Sequence, residues 1–375
     1  MKVTAAVSRE GGAAPVLEHV ELERPRAGEV LVRIVATGIC HTDLRVHSGG
    51  GVGTPRPVVL GHEGAGIVEA VGEGVFHVVP GDHVVLSGSS CGHCPQCLAN
   101  YPTYCREVMP RSFGGQRMDG TTAISQSGSR IGSHFFGQSS FATYAIADAR
   151  GTIPIGKDVP FDVAAPLGCG ILTGAGSVFY AFDMRANHTI AVFGTGPVGL
   201  AAVMAAKLVG ARRIIVVDPI AERRALAEEL GATHSIDPAA GDVAATVLAI
   251  LPEGVDFSLN TTAIPAVFEQ AVKVLGMMGT AGFVTSPPTP VTLALQPLLA
   301  GGRAVRGIIN GSAAPQVAIP MMIDHWRQGN FPVDQLVRGY AFADIAHAFD
   351  DCHHGTAIKP VLHMDPTWNS NREPA

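Results

Sequence analysis

The sequence predicts an α/β protein in which a β-rich domain is interrupted by a doubly wound parallel-sheet domain. At 375 residues the chain is longer than one typical hydrophobic core supports, so two domains are expected. Residues 1 to about 155 read as short β-branched runs between Gly and Pro turns, whereas about 170 to 310 alternate strand-like and helix-like segments. With 45 glycines, 26 prolines and 47% hydrophobic residues, the composition fits a loop-rich globular enzyme and not a disordered chain.

In the first part, "EVLVRIVATGI", "GAGIVEAVGEGV" and "GDHVVLSG" have the β-branched content and breaker spacing of strands. In the middle part, "TIAVFG" is expected to be a strand, "PVGLAAVMAAKLVGA" a helix, "RRIIVVD" a strand and "AERRALAEELGA" a helix. That alternation calls for parallel strands covered by helices. From about residue 311 mixed structure returns, with a helix around "VAIPMMIDHWRQG" and a frayed end at "DPTWNSNREPA".

Lys and Arg number 26 against 32 Asp and Glu, a formal charge of −6, and no basic stripe is visible; this disfavours a nucleic-acid partner. The start "MKVTAAVSREGG" lacks the apolar stretch of a signal peptide. "AAVMAAKLVGARRIIVV" is broken by Gly and Arg and is too short to span a bilayer. A soluble cytoplasmic protein is expected, where disulfides are rare and clustered cysteines usually hold metal.

Gly194-Thr195-Gly196-Pro197-Val198-Gly199 lies between an expected strand and an expected helix, the context that a dinucleotide-binding turn requires. Its glycines permit a tight turn and let the backbone approach a pyrophosphate. The helix N-terminus then offers free N–H groups and a partial positive charge. Asp218 ends the next strand, nineteen residues after Gly199. A carboxylate there accepts from the adenosine ribose hydroxyls and repels a 2′-phosphate, which favours NAD over NADP; helix N-capping is its plainer role. Arg223 is expected along the adenine side.

Four of the seven cysteines, Cys91, Cys94, Cys97 and Cys105, have the spacing C-x2-C-x2-C-x7-C. Short x2 loops place thiolates on one side of a turn, and four of them enclose a tetrahedral zinc with no open position, which marks a structural site. Disulfides, a redox pair and an iron–sulfur cluster are the alternatives, and nothing else in the chain suggests electron transfer. His93, between these ligands, reads as a solvated loop residue. Cys40 in "TGICHTD", His62 and Glu63 in "VLGHEGAG" and Cys169 in "PLGCGILTGAG" are too far apart for spacing to group them. Cys352 reads as a thiol without a role.

The motifs "GICHTD", "VLGHEGAGIVEAVGEGV", "GDHVVL", "CGHCPQC…C", "PLGCGILTGAGSV" and "VFGTGPVGL…VVD" occur in the order found in zinc-dependent medium-chain alcohol dehydrogenases. From about residue 3 to residue 365 the chain resembles that family, and "PLGCGILTGAG" and "FFGQSSFATY" look closest to its aryl (benzyl) alcohol and geraniol dehydrogenase branch. The resemblance implies a GroES-like catalytic domain over residues 1–170 and 310–375, a Rossmann NAD-binding domain over 171–309, and a homodimer or homotetramer joined through a sheet edge near "GGRAVRGIING". It implies two zinc ions per chain. Cys40, His62 and Cys169 would hold the catalytic one, with Glu63 behind it and Asp43 fixing the His62 tautomer. Thr42 would accept the alcohol proton, and His41 and Lys359 would contact the cofactor pyrophosphate. Where many members carry a relay histidine this chain has Arg45, which cannot act as a base. His47, two residues on, reads as a surface histidine.

The implied reaction is oxidation of a primary alcohol to its aldehyde, with zinc polarising the oxygen and hydride passing to NAD. Arg45, His47, Phe113 and Phe141 are the expected pocket residues, and an apolar pocket suits benzylic or allylic alcohols. The alternatives are aliphatic alcohols or S-hydroxymethylglutathione as substrate, or a non-catalytic zinc- and NAD-binding protein.

Overall fold

Runs of β-branched residues become the strands of three sheets in the computed structural model, which describes residues 1–12, 14–50 and 53–365. The end expected to fray, beyond Asp365, lies outside the described residues. The chain separates into two units. One comprises Met1–Cys169, Ala314–Asp324 and the chain from Val333; the other comprises Gly170–Ala313 and His325–Pro332.

The first unit holds two sheets. In one, β1 (Lys2–Ser8) lies between β4 (Val58–Val59) and β2 (Val16–Leu22), followed by β7 (Ile124–Gln126) and β8 (Ser129–Ile131). The other is centred on β3 (Glu29–Gly38), which pairs antiparallel with β5 (Gly64–Val71), β9 (Tyr144–Asp148) and β18 (Lys359–His363). Beyond β5 come β6 (His83–Leu86) and β10 (Thr152–Ile155), and beyond β18 comes β17 (Val337–Ala341). Val30, Val32 and Ile34 of β3 are buried with Val68, Val84 and Leu362 in one apolar core. Each such side chain contributes roughly 1.5–3 kcal/mol by leaving water.

Short helices fill the connections: α1 (His41–His47) after β3, α2 (Pro95–Leu98) and α3 (Val108–Phe113) between β6 and β7, and α4 (Phe161–Ala164) after β10. No single helix among the described residues is long and apolar enough to cross a membrane.

The second unit begins with α5 (Gly170–Gly176) and then alternates as expected: β11 (Thr189–Phe193), α6 (Pro197–Leu208), β12 (Arg213–Val217), α7 (Ala221–Leu230), β13 (His234–Ile236), α8 (Val243–Ile250), β14 (Val255–Asn260), α9 (Pro265–Lys273), β15 (Leu275–Phe283), α10 (Leu295–Gly301) and β16 (Ala304–Gly307). Its sheet is wholly parallel, in the order β13-β12-β11-β14-β15-β16. Connections therefore run outward in both directions from a switch point between β11 and β14, where open α/β sheets bind their ligands. Every residue of β11 is buried, as a strand covered on both faces requires. The helix α11 (Pro315–Arg327), found where "VAIPMMIDHWRQG" suggested one, and α12 (Ile345–His354) precede the last strands.

Candidate active site

Cys40 follows β3 as the N-cap of α1, and Asp43 sits in the first turn of that helix. The Asp43 carboxylate is fully buried and accepts three N–H groups: Cys40 N at 3.0 Å, Gly61 N at 3.1 Å and His62 Nδ1 at 2.9 Å. Donation from Nδ1 orients the ring and turns Nε2 into the cluster, where it offers a lone pair once it gives up its proton. That nitrogen is buried and makes no hydrogen bond among the described residues. Around it, the ligand atoms of Cys40, His62, Glu63 and Cys169 all lie within 4.8 Å of one another. Two sulfurs, one imidazole nitrogen and a nearby carboxylate form a donor set that suits a zinc with an open coordination position.

The electrostatics of this cluster favour a cation. Cys40 is held well below the ordinary thiol range, chiefly by the hydrogen bond it shares with Cys169, with His62 and Lys359 assisting against burial. The same shared bond, added to burial, raises Cys169. Burial alone would lower His62, but Asp43 and Cys40 outweigh it and raise the imidazole well above its usual value. Burial raises Glu63, opposed by Lys359. The Lys359 ammonium lies 2.6 Å from Glu63 Oε2 and 3.0 Å from the Ile39 carbonyl. Gly38 makes room for this pair, since a Cβ there would fall 2.0 Å from Glu63 Oε2. Thr42 Oγ1 lies 3.8 Å from Cys40 Sγ, at the edge of the cluster. Three rings stand beside it: Phe136 stacks on the His62 imidazole at 4.5 Å, Phe135 meets that ring edge-on, and Phe113 meets both phenylalanines edge-on.

In the second unit, the turn between β11 and α6 carries Gly194 at φ +90° and Gly196 as N-cap of α6, with Pro197 at its first position. A Cβ on Gly199 would lie 1.9 Å from the Gly194 carbonyl, so the strand and helix can meet this closely only at glycine. A Cβ on Gly196 would meet nothing within 4 Å, which leaves backbone N–H groups approachable by a phosphate. Asp218 is buried; its carboxylate accepts Thr195 N–H at 2.8 Å and Ile220 N–H at 2.9 Å, tying the turn to the end of β12. This turn fits a dinucleotide. Val198 lies in the first turn of α6, and Arg223 is half-buried on α7. Its neighbour Arg224 donates to the Asp218 carbonyl at 2.7 Å.

The sulfurs of Cys91, Cys94, Cys97 and Cys105 also lie within 4.8 Å of one another. The Cys91–Cys97 sulfur separation is 3.9 Å, close to the roughly 3.8 Å edge of a tetrahedron with bonds of about 2.3 Å to zinc. Backbone N–H groups of Cys91, Cys94 and Glu107 point at sulfurs at 3.3–3.4 Å. Cys94 is lowered to about 6, chiefly by the Arg106 N–H, whereas burial pushes Cys105 up to about 12. His93 is exposed.

Residues 26–157 match the alcohol dehydrogenase GroES-like domain, and residues 197–325 match the zinc-binding dehydrogenase domain. The chain is 45% identical over 362 residues to a geraniol dehydrogenase of Castellaniella defragrans, covering 96% of each chain. The chain belongs to the zinc-dependent medium-chain alcohol dehydrogenases. Its likeness to solved members of the family is close. A zinc-binding alcohol dehydrogenase domain protein of Burkholderia ambifaria superposes with a TM-score of 0.94 at 45% identity. The benzyl alcohol dehydrogenase of Acinetobacter calcoaceticus does so at 0.93 and 41%; each match covers 97% of this chain and 99% of the other. The aryl-alcohol and geraniol branch is thus the right one, and the two domains are of the GroES-like and Rossmann types.

Within this alcohol dehydrogenase several side chains lie elsewhere than the sequence suggested. Lys359 was expected on a pyrophosphate, but its ammonium is 1% exposed and engages Glu63 and Ile39, because β18 inserts it beside β3. His47 is buried rather than at the surface: its Nδ1 pairs with Ser8 Oγ at 2.8 Å and its ring meets Phe349 edge-on. Phe141, expected in the pocket, is fully buried in the core. Arg45 and His41 are exposed on α1, and Phe113 is half-buried among the rings described above. Cys352 is a buried thiol raised by burial to about 12. Three residues that the sequence left without a role touch the site, Phe135, Phe136 and Gln138; the last donates to the His62 carbonyl at 3.0 Å. All lie in "FFGQSSFATY", which marked the branch without saying why.

Proposed function

We propose that this chain oxidises aryl or allylic primary alcohols to aldehydes with NAD as the hydride acceptor, reversibly, holding one catalytic and one structural zinc. The observation that carries the reading is the convergence of Cys40, His62 and Cys169, with the buried His62 Nε2 unpartnered among the described residues, beside a group of aromatic rings. Relatives named geraniol dehydrogenase and benzyl alcohol dehydrogenase support the substrate class. Such alcohols are flat and conjugated, and the half-buried Phe113 and Phe136 offer faces and edges that pack on them.

When bound, zinc supplies Lewis acidity toward the alcohol oxygen and NAD supplies the hydride acceptor. The chain's own residues do the rest. Cys40, His62 and Cys169 hold the metal, Asp43 keeps the imidazole in its donor tautomer, and Lys359 balances the charge of Glu63 behind it. The Thr42 hydroxyl, at the edge of the cluster, would relay the alcohol proton, accepting it as it hands its own on. Arg45, in the last turn of α1, cannot accept that proton, and His47 Nδ1 is paired with Ser8 Oγ inside the protein. Gly196 and the start of α6 receive the pyrophosphate, and Asp218 with Arg223 takes the adenosine end, excluding a 2′-phosphate. Cys91, Cys94, Cys97 and Cys105 enclose the structural zinc.

The catalytic part is the unit of Met1–Cys169, Ala314–Asp324 and the chain from Val333, and the NAD-binding part is Gly170–Ala313 with His325–Pro332, a division close to the expected bounds of 1–170 with 310–375 and 171–309. Copies associate as a dimer or tetramer along β16, the sheet edge where Leu295, Leu299, Val305 and Ile309 are exposed. The cytoplasm is the setting that suits seven cysteines of which none forms a disulfide among the described residues.

Rates with benzyl alcohol, geraniol, hexanol and S-hydroxymethylglutathione, each with NAD and NADP, test the reading. Benzyl alcohol or geraniol with NAD is expected to give the highest kcat/KM. Turnover of the glutathione adduct alone would overturn the substrate class.

A further inference from the structure

The turn at 133–140 is unusual, with His134, Phe136, Gly137 and Ser139 all at positive φ, from +51° to +72°. Three of the four are not glycine, a conformation that side chains avoid unless their surroundings impose it. The imposing contacts are internal: Ser139 Oγ donates to the Val59 carbonyl at 2.6 Å and accepts the Phe135 N–H at 2.9 Å. What this backbone delivers is Gln138, 1% exposed. Its Oε1 accepts the Gly64 N–H at 3.0 Å, and its Nε2 donates to the His62 carbonyl, also at 3.0 Å.

Those two backbone groups flank Glu63. On the β3 side, Gly38 N–H donates to the Glu63 carbonyl at 3.0 Å. In an extended strand the His62 carbonyl and Gly64 N–H then point to the opposite edge. Along that edge β6 covers β5 only as far as Ala65, which pairs with Val85. The Gln138 amide supplies the missing rung. It presents one donor and one acceptor in the arrangement of a strand peptide, at the place where the chain carries His62 and Glu63. From the same turn Phe136 stacks on the His62 ring.

We propose that Gln138 is a positioning residue for the metal cluster: its side-chain amide stands in for a β-strand and fixes the backbone direction from which His62 aims Nε2 at Cys40 and Cys169. This rests on the reading of those three residues as metal ligands. Groups that orient metal ligands in this way typically cost about 10–100-fold in metal affinity when removed.

The test uses full-length protein loaded with zinc, or with cobalt(II) as a spectroscopic probe, and the variants Gln138→Leu and Gln138→Glu. Ser140→Ala is the control, since it removes only the Oγ that bonds Thr37 Oγ1 at 2.7 Å and keeps the Cβ that packs beside Gly64. In Gln138→Leu, one of the two zinc ions should pass to a chelator about 10–100 times faster than in the parent, with shifted cobalt bands and the other ion unaffected. Gln138→Glu keeps an acceptor for Gly64 N–H but loses the donor to His62, and should shift the same bands in the same direction by less. Ser140→Ala should keep the parent bands even where its melting temperature falls. Parent-like release and bands in Gln138→Leu would overturn the proposal; should that variant not fold, parent-like bands in Gln138→Glu would do so. A parent that holds a single metal would overturn the ligand reading itself, whereas two metals with unaltered variants would overturn the role of Gln138 alone.

Discussion

Glu29 opens β3 with its carboxylate buried and four hydrogen bonds upon it: two from Arg117, one from His134 Nε2 and one from the Arg26 N–H. Burial opposes its ionisation, yet His134, Arg117 and Arg26 outweigh burial and hold it at about 2, against an ordinary value of 4.5. A carboxyl depressed in the folded state stabilises fully above its unfolded value, and the contribution fades as pH falls through the folded one. The shift corresponds to about 3 kcal/mol, lost between roughly pH 5 and pH 2. Glu29→Gln should therefore lower unfolding stability at pH 7 and flatten its acid dependence, measured by urea denaturation across that range; an unchanged acid limb would refute this. At the metal cluster, Cys169→Ser should cut kcat/KM by about 1,000-fold or more, since several kcal/mol of charge stabilisation depend on the metal. Zinc content should drop from two per chain to one. Activity close to the parent's would remove Cys169 from the ligand set.

At the scale of elements, the turn from β11 to α6 separates folding from binding at neighbouring glycines. A methyl group on Gly199 collides with the Gly194 carbonyl, so Gly199→Ala should lower stability by about 1–3 kcal/mol. A methyl group on Gly196 has open space and an ordinary φ of −72°, so Gly196→Ala should leave stability within about 0.5 kcal/mol. It should nonetheless raise the KM for NAD about tenfold or more, by filling the space a pyrophosphate needs. Thermal melts and NAD titration of both variants check the pair, and a stable Gly199→Ala would contradict the packing. This α/β segment was the most legible part of the sequence, because an apolar strand, a glycine-rich turn and an Ala-rich helix follow one another directly. The first unit was legible as strands but not as a sheet. Nothing near "AIKPVL" says that it will lie between β3 and β17, so Lys359 was placed on a phosphate. His47 and Phe141 failed for the same reason: tertiary contact, not local pattern, decided their burial.

Across the whole molecule, the four-cysteine spacing was readable without help, whereas Cys40, His62 and Cys169 could be grouped only by likeness to a known family. Gln138 escaped both routes, because an amide that completes a ladder leaves no periodic trace. The two metal sites should also part company experimentally. Gentle chelation should remove activity with little change in melting temperature, while loss of the second zinc should coincide with a marked fall in it. Zinc content measured beside activity and thermal melts would show this, and simultaneous loss of both ions with activity would contradict it.

The pairing of Glu63 with Lys359 joins residues 296 positions apart, and the ribosome makes them at very different times. The stretch from Cys91 to Cys105 has all four thiols together early in synthesis and can take its zinc while the rest of the chain is still being made. The site at Cys40 and His62 waits for Cys169, and the cation that makes Glu63 tolerable in the interior arrives only with β18. On the proposed ligand sets, a structural ion could therefore be acquired during translation, and a catalytic one would be secured only when the chain is nearly finished. A partly made enzyme would hold zinc and have no activity.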